Sequence, residues 1–122
     1  MAPSTPAPQP AQHAGLTAER WAEFDEVRQI LMIANELHRA TKWRSVEHAT
    51  RRDAAMERVL ALTDLTISLE KRSSHLRELL RWRDCAAASY IHHPDAPSDR
   101  DLLRALLRFH PQAAAQIPLI AA

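Results

Sequence analysis

The sequence predicts an all-α protein, a small antiparallel helical bundle of three long helices plus a short C-terminal helix. Three observations carry this. From Ala40 to Leu62 there is neither Gly nor Pro, and Trp43, Val46, Ala49, Ala55/Met56 and Val59/Leu60 recur at three- and four-residue spacing. That spacing lays one apolar stripe along a helix. The 122-residue chain contains a single Gly, whereas hairpins and bulges need residues that accept positive φ. Ala, Leu and Arg, all good helix formers, dominate the composition. A helix with one apolar stripe cannot bury it alone, so partner helices are required. The length suits one domain with a modest core.

Taken in order, residues 1–16 carry Pro3, Pro6, Pro8 and Pro10 among Ala and small polar residues. They read as a disordered Pro-rich tail. They have no Lys or Arg and no apolar run, so they lack the marks of a secretory signal. The bundle domain is expected over 17–110. Thr17 is the expected N-cap of a first helix, with Glu19 in its first turn. Trp21, Phe24, Val27, Leu31, Ala34 and Leu37/His38 form its stripe, to about Arg39. A second helix is expected from Trp43 to Leu62. The first is richer in acid and the second in base, which suits antiparallel packing. Glu47 and Arg51, four residues apart, form an expected surface pair.

Asp64 would cap a third helix or mark a slight bend. From there Leu65, Leu69, Arg72, Leu76, Leu79/Leu80, Arg83, Ala86/Ala87 and Tyr90 follow a near-heptad spacing. Arg72 and Arg83 within that seam either snorkel or face a partner. Pro94 and Pro97 stop the helix. Ser98 opens a short helix in which Leu102, Leu103, Leu106, Leu107 and Phe109 are apolar, ended by Pro111. Arg100, Arg104 and Arg108 line its opposite face. Residues 111–122 read as an apolar C-terminal tail.

Several function classes are disfavoured. A net charge of +1 gives no global pull towards nucleic acid or an acidic membrane. One isolated Gly rules out a Gly-rich phosphate loop. No apolar run reaches the length of a membrane span, so no membrane insertion is expected. The lone Cys85 cannot form an internal disulfide, which fits a reducing, cytoplasmic setting. His38, His48, His75, His92 and His93, with Cys85 and Asp95, show no zinc-ligand spacing. No metal and no cofactor are therefore expected. Cys85 has no His base at i+4 and no paired carboxylates appear, so no catalytic residue is assigned and the chain is not expected to be an enzyme. The Arg77, Arg81, Trp82, Arg83 stretch is interrupted by Glu78 and Asp84, which reads as a solvated face rather than a phosphate track. Trp21 and Trp43 open their stripes as core or core-edge residues. Trp82 is either a bundle-edge residue or an exposed anchor for a partner.

The stretch Ala34 to Ala40, Trp43, Val46, Arg51/Arg52 and Val59/Leu60 resembles the FliT-type flagellar export chaperones, between about Val27 and Leu80. In that family a Trp opens the second helix after a short turn, and a long third helix closes the bundle. Arg44 and Thr41-Lys42 depart from the acidic residue and the Gly that often flank the Trp there. The resemblance implies a cytoplasmic chaperone of flagellum biogenesis that binds a C-terminal helical segment of the filament-cap protein. It also implies contacts with the export ATPase complex and the flagellar master regulator.

A client helix needs a groove that supplies its missing apolar face. The expected partner-binding groove is Leu69, Leu76, Leu80 and Trp82. The short helix with Leu102, Leu103, Leu106 and Leu107 is the expected gate over that face, displaced by the client; a permanent fourth core helix is the alternative. Two other classes stay open. One is a helical adaptor or regulator, with a homodimer through the third helix as one route. The other is a small nucleic-acid-associated regulator using Arg100, Arg104 and Arg108.

Overall fold

The structure is a computed structural model and describes residues 16–43 and 45–121. The expected disordered tail, apart from Leu16, lies outside them. The fold is all-α, a small helical bundle, with no strand among the described residues. A single turn, α1 (Ala18–Trp21), precedes α2 (Glu26–Thr41). One 3-10 turn at Val46–His48 leads into α3 (Ala49–Leu69). Then come α4 (Ser73–Tyr90), α5 (Asp99–Leu107) and two further single turns, α6 (Pro111–Ala114) and α7 (Ile117–Ile120).

The expected first helix is two pieces. Thr17 does cap, its Oγ1 accepting from the Arg20 N–H at 3.2 Å, but it caps only α1. Asp25 starts α2 afresh, accepting from the Arg28 N–H at 2.8 Å. An Asp in mid-pattern offers the backbone a cap, and here the cap wins. The break turns Trp21 fully into the core, where its Nε1 donates to Thr66 Oγ1 at 2.9 Å. Gln29 ties the break down by donating to the Trp21 and Phe24 carbonyls.

The second and third helices are shifted from their expected bounds. Asp64 neither caps nor bends the chain; it lies inside α3 and accepts two bonds from Arg83 on α4 at 2.9 and 3.2 Å. Thr63 and Thr66 satisfy their hydroxyls on the carbonyls of Val59 and Leu62, four residues back, so neither has reason to break the helix. Leu65 and Leu69 therefore end α3, and α4 begins only at Ser73. Glu47 sits in the 3-10 turn rather than one helical turn before Arg51, whose guanidinium lies 6.0 Å from the centre of the Trp43 ring.

Two sets of bonds show the antiparallel order. Across α2 and α3, Arg58 pairs with Glu36 at 2.8 Å and Arg52 reaches the Ala40 carbonyl at 3.2 Å. Across α3 and α4, Asp64 meets Arg83 and Glu57 accepts from the Tyr90 hydroxyl at 2.8 Å. Helix α4 ends as its prolines require. His92 takes φ 58°, while His93 N–H bonds the Ala88 carbonyl and His92 N–H that of Ser89. That is the left-handed cap usually given to Gly.

Ser98 starts α5, accepting from the Asp101 N–H at 3.1 Å. Leu102, Leu103, Leu106 and Leu107 are all at most 2% exposed. Helix α5 packs on both α2 and α4, so these leucines meet Ile30, Ile33, Leu37, Met56 and Val59 in one core. The apolar tail is also docked. His110 caps α6, Ala113 and Ala121 are buried, and Arg104 Nε donates to the Ala121 carbonyl at 2.9 Å.

Candidate protein-binding groove

An open groove of about 440 Å³ lies between helices α4 and α5. Its floor is Trp82, Cys85, Ala105 and Phe109, and its edges carry His75, Glu78, Arg81 and Arg108. The spacing of the α4 residues explains the lining. His75, Glu78, Trp82 and Cys85 follow one another at three- and four-residue steps, so they share a face. Trp82 Nε1 donates to the Leu102 carbonyl at 2.9 Å. Its only polar atom is thus spent on α5, and what it offers the groove is apolar. The His75 ring stands edge-on to Phe109, 5.3 Å between centres, and closes one end. Arg81 reaches Glu78 at 3.4 Å, and both side chains are more than half exposed.

A second recess, about 280 Å³, lies on the other side of His75 and includes Leu69, Glu70, Arg72 and Leu79. Here Arg72 bonds both Glu26 and Glu70, while His75 Nε2 is 3.7 Å from each carboxylate. Glu26, Glu70 and His75 bring ligand atoms within 4.8 Å of one another, a convergence their sequence positions do not announce. The guanidinium already supplies the cation between the two carboxylates, so the cluster ties the N-terminus of α2 to the α3–α4 turn. Of the two expected roles, the structure gives Arg72 a place at the bundle edge, its head group more than half exposed and held by the two carboxylates.

That pairing sets a pH dependence. The hydrogen bonds from Arg72 hold the Glu70 carboxyl down from 4.5 to about 2. A depressed carboxyl stabilises the fold above its unfolded value, and the contribution is lost as pH falls through the folded one. Thermal stability should accordingly decline between about pH 4.5 and 2, and Glu70→Gln should flatten that part of the curve. An unchanged slope in the variant, followed by circular dichroism, would contradict the assignment.

A third recess borders a buried ion pair that sequence reasoning missed. Arg52 grips Asp99 with two bonds, 3.0 and 3.1 Å, and also donates to the Ala40 carbonyl and Ser89 Oγ, both at 3.2 Å. The two side chains are 12% and 6% exposed. One guanidinium thus joins the ends of α2, α4 and α5 to the start of α3. Asp99 is the first residue of α5, where the helix dipole also favours a carboxylate.

The residues expected to form a groove are not brought together. Leu69 lines the second recess and Trp82 the first, while Leu76 and Leu80 line neither. Leu80 is 46% exposed and Trp82 only 5%, because two residues apart on a helix point to nearly opposite sides. Trp82 is therefore neither a bundle-edge residue nor an exposed anchor. Leu102, Leu103, Leu106 and Leu107 are core rather than groove cover. The arginine stripe on α5 is broken, since Arg104 is engaged by the Ala121 carbonyl. His92 and His93 sit at the left-handed cap, with His93 Nδ1 accepting from the Asp95 N–H. No helix among the described residues is long and apolar enough to cross a membrane. Comparison with protein-family models, curated proteins and solved structures finds no match for this chain.

Proposed function

We propose that this protein is a helical protein-binding module whose α4–α5 groove shields one face of a client's amphipathic helix. The observation that carries the reading is the apolar floor of Trp82, Cys85, Ala105 and Phe109, open along its length and bounded by charged edges. From His75 to Cys85 the α4 wall spans about 15 Å at 1.5 Å per residue. That accommodates roughly three turns of a bound helix with anchors at i, i+3, i+4 and i+7. The resemblance to the FliT-type chaperones makes the client an export substrate of the flagellum, and the setting cytoplasmic. The C-terminal helical segment of a filament-cap protein is the first client to try.

The test uses a synthetic 16-residue peptide with a Leu stripe at that spacing and its scrambled counterpart. In two-dimensional NMR of the full chain, the striped peptide should shift the Trp82 indole N–H and leave that of Trp21 in place. Ala105 is exposed, so Ala105→Trp should fill the groove without disturbing the core, and weaken binding at least tenfold. Equal binding to Ala105→Trp, or shifts centred on another face, would refute the proposal.

A further inference from the structure

We infer that the groove selects a client helix flanked by acidic residues, whose carboxylates pair with Arg108 and Arg81 on its two edges. The inference rests on the groove reading above and adds the chemistry of the partner. The Arg108 side chain makes no hydrogen bond or ion pair among the described residues and is exposed at the end of α5. It contrasts with Arg104 on the same helix, which is held by a main-chain carbonyl. On the opposite wall Arg81 has only the loose, exposed contact with Glu78, the kind worth about 0–1 kcal/mol and readily exchanged. One guanidinium without a partner and one held only loosely thus line the groove, on α5 and on α4. Each presents a planar fork suited to bidentate grip of a carboxylate. A bound helix would exclude water from the floor and lessen the screening of both pairs.

The shape argues for a protein helix over nucleic acid. The floor is a cleft bounded by two helices rather than an open stacking platform.

The experiment compares three 16-residue peptides with one Leu stripe, flanked by Glu, Gln or Lys, binding the full chain by fluorescence anisotropy. The Glu peptide should bind about fivefold to tenfold more tightly than the Gln peptide, and the Lys peptide more weakly than either. Raising the salt should narrow these differences. Arg108→Glu should remove the preference, and the double variant with Arg81→Glu should invert it towards Lys, with circular dichroism confirming the fold of each. Equal binding of all three peptides, still blocked by Ala105→Trp, would overturn the charge selection and leave the groove standing. Failure of every peptide to bind would remove both. If a single-stranded oligonucleotide bound instead, and lost binding in Arg108→Glu, the arginines would belong to phosphate recognition and the inference would fall.

Discussion

Replacing Arg52 by Ala should cost about 3–5 kcal/mol of folding stability, because it takes the guanidinium away from a buried carboxylate. Asp99 is 5% exposed and would lose both of its bonds to the guanidinium, while Ser89 Oγ and the Ala40 carbonyl would each lose a donor. Domains of this size have only about 5–15 kcal/mol in total. The variant should be partly unfolded at room temperature or melt far below the parent. A double replacement, Arg52→Leu with Asp99→Leu, should be milder than Arg52→Ala alone, since the buried carboxylate is removed together with its guanidinium. Urea midpoints followed by circular dichroism decide it. A loss under about 1 kcal/mol, the scale of a surface pair, would show that the pair does not hold the helix ends together.

Truncation after Pro97 should abolish cooperative folding. Burying Leu102, Leu103, Leu106 and Leu107 is worth about 1.5–3 kcal/mol each, so losing all four removes an amount comparable to the whole stability of a small domain. The truncation also takes away Asp99 from Arg52 and the Leu102 carbonyl from Trp82. The expected product is a collapsed or aggregating chain, with helical circular dichroism but without a sharp melting transition. The same energies speak against α5 as a gate. A client would have to repay the exposure of a core helix before gaining anything from the groove. A truncation that stays folded and binds amphipathic peptides more tightly than the full chain would restore the gating idea.

Much of the fold was legible. The prolines at 94 and 97, the cap at Ser98 and the leucine pattern after it act through neighbours within a turn, and α5 falls where they indicate. Boundaries were misread where a residue has two uses. Asp25 reads as one more acid on a helix face yet caps α2, and Asp64 reads as a cap yet serves a salt bridge to α4. Local chemistry allows both roles, and only the partner helix chooses between them. The groove was legible through Trp82 alone. Its other floor residues, Cys85, Ala105 and Phe109, carry no signal of their own, since a small or aromatic residue on a helix reads as packing until the neighbouring helix is placed.

The sequence by itself determined the all-α class, the apolar faces and the stop between α4 and α5, because helix propensity, stripe spacing and proline sterics act over a few residues. The tertiary structure alone decided that α5 packs into the core, that Arg52 meets Asp99 across 47 positions, and that the open apolar surface lies between α4 and α5. Those outcomes depend on how helices distant in sequence share one interior, and the pattern along any one helix is compatible with several such arrangements.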